Sequence, residues 1–291
     1  MDHGEGKRLM LKLPTLQELL EAGVHFGHQV RRGHPRMKPY IFGEREGVHI
    51  IDLTQSEKYL QQACEYVYEL GRMGKVLLFV GTKKQAKPII EELAKELHAP
   101  YLVNRWMGGF LTNFEEIKKR IKLLKDLQQQ KATGELSKYT KKEQLLIDRK
   151  MKKLAEDFVG VMDTESLPEA VFVVDCVSDH IAVREANRLG IKVVALADSN
   201  CNVAEIDYPI PGNDDAIKSI KILVAAIASA YGEGKKEAGK QAEKEAAKLV
   251  KEAAKKKEVE EKLDDQLTAE VAAAEELVEK KAVKESERIV E

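Results

Sequence analysis

The sequence predicts one doubly wound α/β domain, built on a mainly parallel sheet with helices on both faces and carrying an inserted helical hairpin. Three observations predict it. Short apolar runs rich in Val and Ile alternate with stretches of helical apolar spacing. The alternation breaks off once, between about residues 112 and 163, into two highly charged helical stretches. From Gly232 onward the chain has neither an aromatic residue nor a proline, so the domain is expected to span residues 14–232, between an N-terminal extension over 1–13 and a charged extension over 233–291.

Leu16, Leu19 and Leu20 mark a short helix, followed by Gly-Val-His-Phe-Gly-His28 and a basic loop. Val48 to Leu53 reads as a strand, and Thr54 with Glu57 has the spacing of a capping box for a helix ending near Gly71. Val76 to Val80 is a continuous apolar run, the signature of a strand covered on both faces. Ala86, Ile89, Ile90, Leu93 and Leu97 recur at helical spacing, and Tyr101 to Val103 completes a βαβ unit.

The hairpin stretches carry one apolar stripe each: Ile117, Ile121 and Leu124 on the first, Ile147, Met151, Leu154 and Phe158 on the second. Gly134 supplies the turn, and Thr140 with Glu143 a capping box, so an antiparallel, coiled-coil-like pair that projects from the domain is expected. After Pro168 come a strand at Val171–Val174, a helix over about 180–189 ending at Gly190, a strand at Val193–Leu196, a short Tyr208-Pro-Ile strand and a helix from about Asp214 to Tyr231. The Ala, Glu and Lys of the last segment favour helix but offer little apolar surface to bury.

A net charge of −1 conceals blocks of opposite sign: residues 115–157 hold about five more basic than acidic residues, and 233–291 about three more acidic ones. Cys64, Cys176 and Cys201 are odd in number and set in apolar or helical surroundings, as free thiols of a reducing compartment are. No apolar run approaches the roughly 20 residues of a membrane span, and the amino terminus lacks an apolar signal core, so a cytoplasmic chain without membrane partners is expected.

A doubly wound sheet invites a nucleotide-binding enzyme as the alternative. Yet Gly81-Thr-Lys-Lys-Gln, after the Val76–Val80 strand, has neither the G-x-G-x-x-G nor the G-x-x-x-x-G-K-[ST] pattern. Asn213, Asp214 and Asp215 place carboxylates at the other candidate helix start, where they repel phosphate. Asp175 and Asp179 read as a strand-end residue and a helix cap, with Ser178 the other cap candidate. His25, His28 and His34 have no zinc-site partner pattern. The expectation is no catalytic residue, no metal and no cofactor.

Gln29 to Tyr40 is the stronger feature. Arg31, Arg32, Arg36 and Lys38 are interleaved with His34, Gly33, two prolines and Tyr40, a stiff backbone presenting cations that neutralise phosphates. Lys83 and Lys84 in a βα loop, with Asn104 and Arg105 past a strand, add candidate RNA contacts, whereas Trp106 is read as a loop anchor. Lys118, Lys119 and Lys122 read as a solvated helix face.

Four ordered motifs carry a resemblance: Leu19-Leu-Glu-Ala-Gly-Val-His-Phe-Gly-His28, Asn104-Arg-Trp-Met-Gly-Gly-Phe-Leu-Thr-Asn113, Pro168-Glu-Ala-Val-Phe-Val-Val-Asp175 and Ile210-Pro-Gly-Asn-Asp-Asp-Ala216. In order and spacing they resemble the second protein of the small ribosomal subunit, bacterial type, over roughly residues 14–232. The resemblance implies a flavodoxin-like or Rossmann-like domain bound to small-subunit ribosomal RNA between head and body. It also implies neighbouring small-subunit proteins as partners, with the hairpin helping to dock the large first protein, which captures messenger RNA. Two departures are Lys192, where the family usually has Pro or Ala, and the long segment beyond Tyr231.

Overall fold

The computed structural model describes residues 13–240. The chain divides into a unit over residues 1–238 and a second over 239–291; expectations for residues 1–12 and 241–291 lie outside the described residues. The first unit opens with α1 (Leu16–Glu21), β1 (Phe26–Gln29), two 3-10 turns (Val30–Arg32, Pro35–Tyr40), β2 (Ile41–Arg45), β3 (Val48–Ile51) and α2 (Leu53–Arg72). It continues with β4 (Leu77–Val80), α3 (Lys87–Glu96), β5 (Tyr101–Leu102), α4 (Phe114–Ala132) and α5 (Lys141–Phe158). Then come β6 (Ala170–Val173), α6 (His180–Leu189), β7 (Lys192–Ala197), β8 (Tyr208–Pro211) and α7, a helix that within this unit spans 217–238.

The main sheet has the order β5-β4-β6-β7-β8 and is parallel throughout. Because side chains alternate along a strand, Leu77 and Phe79 of β4 face one side and Leu78 and Val80 the other. The first set joins Phe172, Val194 and Leu196 in a core with residues of α2, α3 and α7. The second set joins Val171, Val173, Val193 and Ala195 in a core with residues of α6 and the base of α4 and α5. This is the doubly wound class expected, and its strands are apolar on both faces because helices cover both. Among the described residues, no helix is long and apolar enough to cross a membrane.

Two strands had no legible signal. β1 and β2 flank β3 in a small antiparallel sheet, order β1-β3-β2. Both hold glycine and half-exposed positions, with Phe42 81% and Phe26 50% exposed, so neither shows the alternation that marks a strand. The α2 cap also differs from expectation. Asp52, still extended at the end of β3, accepts from the Thr54 amide at 2.9 Å, so the helix begins ahead of the Thr54/Glu57 pattern.

α4 and α5 pack against each other, and their base belongs to the domain: Ile117, Ile121, Leu124 and Phe158 sit in the second core. Farther out the pair is held by contacts such as Lys131 to Asp148 at 2.8 Å. Gly134 adopts φ +76°, and Thr140 and Glu143 form the expected capping box.

Candidate nucleic-acid interface

In the strand order β5-β4-β6-β7-β8 the chain steps outward from β4 to β5 and then returns to β6 on the other side. The loops after β4 and β6 therefore diverge at a switch point, where doubly wound domains bind ligands. The chain fills this crevice itself. Asp179 is the N-cap residue of α6, as expected, but its carboxylate makes no cap bond there and instead accepts from the Thr82 amide (3.2 Å) and hydroxyl (2.9 Å). Ser178 likewise turns back, donating to Asp175 at 2.8 Å, while Asp175 accepts from the amides of Val177 and Ser178.

Lys83, expected as an RNA contact, points into this crevice. Its ammonium lies 2.7 Å from Asp214, 2.6 Å from Asp215 and 3.6 Å from Asp175, and the side chain is 16% exposed. Burial alone would lower the Lys83 pKa, but hydrogen bonds to Asp214 and Asp215 raise it above the ordinary lysine value. Burial, with Asp198 and Asp175 alongside, pushes Asp214 up to about 7. Burial would also raise Asp215, but the Lys83 hydrogen bond holds it below its usual value. A nucleotide phosphate entering here would meet these carboxylates rather than free amides.

The segment from Gly23 to Tyr40 forms an arm over the same carboxyl edge. Asn213 donates from its amide to Val24 O (3.0 Å) and from Nδ2 to Gly23 O (3.2 Å). Ser199, after β7, accepts from the His28 amide at its hydroxyl and from the His34 amide at its carbonyl, both at 2.8 Å. Gly27 allows that approach: a Cβ there would come within 2.9 Å of Ser199 Oγ. His28 then contacts Asp198 at 3.1 Å and Asp215 at 3.5 Å, and the Asp198 carboxylate beside it raises its pKa. So His28 meets carboxylates rather than its sequence neighbours His25 and His34. His28, Asp198 and Asp214 offer ligand atoms within 4.8 Å of one another, an arrangement that could hold a metal ion.

Beyond His28 the arm is held by burial of Met37 in the second core and by His34 Nδ1, which accepts from the Arg36 amide at 3.2 Å. Arg31, Arg32, Arg36 and Lys38 are left exposed, and Arg31 donates to Gln29 at 2.9 Å. Among the described residues none of these four makes an ion pair, nor do Lys84 and Arg105, which are also exposed.

Asn104 is engaged differently: it accepts from Lys87 and donates to the Glu156 carbonyl, tying the loop after β5 to α3 and α5. The same loop closes around Glu185 of α6. That carboxylate accepts from Trp106 Nε1 (3.2 Å) and from the amides of Gly109 (2.6 Å), Leu111 (3.0 Å) and Thr112 (3.2 Å). Burial would raise the Glu185 pKa, but these donors bring it below the usual glutamate value. Trp106 is buried, an anchor as expected.

All the expected contact residues thus lie on the arm or on loops after β4 and β5, along one edge. Lys83 and Asn104 are consumed internally, whereas the arm cations, Lys84 and Arg105 face outward. Glu185, Asp198, Ser199 and Asn213, which build the edge, were not singled out as anchors. Asp198 stands just past a predicted strand, as Asp175 does, and that position was the available signal.

The sequence model of the family described as ribosomal protein S2 matches residues 19–234. The chain is 50% identical over 222 residues to a protein of Nitratiruptor sp. named small ribosomal subunit protein uS2, covering 76% of this chain and 83% of that one. Proteins of the same name from Acidothermus cellulolyticus and Dictyoglomus thermophilum are each 50% identical, covering 76% of this chain and 80% and 89% of theirs.

Proposed function

Since the chain belongs to the ribosomal protein S2 family, we propose that it is a non-catalytic constituent of the small ribosomal subunit in the cytoplasm, and that its arm and the carboxyl edge of its sheet grip small-subunit ribosomal RNA. One observation carries this reading: Arg31, Arg32, Arg36 and Lys38 stand exposed on a backbone pinned at Ser199 and Asn213 and plugged by Met37. Pre-fixed cations lose little entropy on meeting phosphates and release counterions as they do. Lys84 and Arg105 extend the footprint along the edge. Exchange of the four arm cations for Gln should weaken binding to small-subunit RNA and flatten the log affinity against log salt slope by about 3 units. An unchanged slope would remove the arm from the contact.

The distal hairpin is read as a docking arm for the large first protein of the small subunit. Tyr139, Leu145 and Leu146 are exposed there, close in sequence to Lys138, Lys141 and Lys142. Because Ile117, Ile121, Leu124 and Phe158 are core residues, the clean test removes only residues 127–148. The shortened chain should fold and enter the subunit but fail to recruit that protein; undiminished recruitment refutes the reading.

A further inference from the structure

α6 lies on the face of the sheet that holds the second core, with a neighbour on each flank. On one flank Asn187 donates to the Glu205 carbonyl at 2.8 Å, holding the turn Val203–Glu205. The arm's turn Pro35–Tyr40, which carries Arg36 and Lys38, packs against that same turn. On the other flank Glu185 gathers the amides of the loop after β5, the loop that carries Arg105. A helix turns by about 100° per residue, which sets Asn187 and Glu185 on nearly opposite sides. The buried Ala182, Val183 and Ala186 fill the arc between them that faces the sheet. Arg184 and Arg188 fall on the outer arc, and both are exposed. Among the described residues neither makes an ion pair.

We propose that Arg184 and Arg188 are a further pair of phosphate contacts for small-subunit RNA, joining the arm cations on one flank to Arg105 on the other in a single basic face. The pair rests on the reading of the arm as an RNA contact and extends it. Residues four apart on a helix stand one above the other, about 6 Å along the axis, on the scale of one step between neighbouring phosphates of a strand. Each guanidinium presents a planar fork of donors that fits phosphate oxygens. Neither has a carboxylate to give up before it meets a phosphate and releases counterions. The acid within the helix, Glu185, is turned to the loop, and the Glu205 carboxylate accepts from Asn202 at 2.7 Å.

The test titrates three full-length proteins with small-subunit ribosomal RNA over a series of salt concentrations: the parent, an Arg184→Gln/Arg188→Gln variant and a Lys218→Gln/Lys221→Gln variant. Lys218 and Lys221 are likewise exposed, but α7 packs on the opposite face of the sheet, so the second variant removes the same charge elsewhere. The α6 variant should flatten the slope of log affinity against log salt by about 1.5 units, and the α7 variant should keep the parental slope. A parental slope in the α6 variant, or an equal fall in both variants, overturns the proposal. The variant with the four arm cations exchanged for Gln runs alongside. A fall there with none for α6 overturns this pair and leaves the arm's role standing, whereas no fall in either removes both.

Discussion

The carboxyl edge of the parallel sheet and the distal hairpin are made of the same charged residue types, and burial separates what those charges do. At the edge, Lys83 reaches three carboxylates at 16% exposure, and Asp214 opposite it is 3% exposed. On the hairpin, Lys131 and Asp148 approach as closely, at 2.8 Å, but at 55% and 46% exposure. Water screens the second pair and not the first. The edge therefore becomes a rigid platform that fixes the arm, while the hairpin keeps a solvated surface above an apolar seam.

Lys83→Met breaks this contrast most severely. It leaves Asp214 and Asp175 without their cation, and urea unfolding at pH 8, where Asp214 is ionised, should show a loss of about 4 kcal/mol; a change as small as a surface substitution would mean that water already compensates the crevice. Glu185→Ala strands the Trp106 and Gly109–Thr112 donors, with an expected cost of about 3 kcal/mol. Trp106 fluorescence should report the loosened loop before global unfolding.

The pH response sharpens the same comparison. An unfolded aspartate releases its proton near pH 4, whereas folded Asp214 keeps it to about 7, so between those values the folded state binds more protons and this group makes stability fall as pH rises. His28 acts in the same direction: its raised folded pKa contributes stability at low pH that is lost as pH climbs through that value. Asp214→Asn should therefore gain stability relative to the parent between pH 5 and 7, with a slope of up to about 1.4 kcal/mol per pH unit. Parallel curves for the two proteins would show that Asp214 is ionised throughout. Lys131→Met on the hairpin should cost under about 0.5 kcal/mol, by the same urea assay.

How much of this was legible in the sequence follows the same division. Val76–Val80 and Val171–Val174 announced strands because burial on both faces leaves a continuous apolar run, and Thr140 with Glu143 announced a helix start because capping is local. The small antiparallel sheet stayed hidden, since Phe26 and Phe42 are exposed and Gly27 and Gly43 interrupt both strands. The arm's cations were visible as a cluster. Their platform was not, because Ser199, Asn213 and Asp198 join it through contacts 16 to 190 residues apart in the chain. For the same reason Lys83 resembled a free loop cation until its three carboxylates were placed around it.

The arm's role is tested most directly by sucrose-gradient sedimentation of cell lysates containing either the parent chain or the variant with Arg31, Arg32, Arg36 and Lys38 exchanged for Gln, at low and at raised salt. The parent should travel with small ribosomal subunits under both conditions, and the variant should move to the top of the gradient as salt is raised. A variant that stays with the subunits as fully as the parent would contradict the assignment of the arm to RNA.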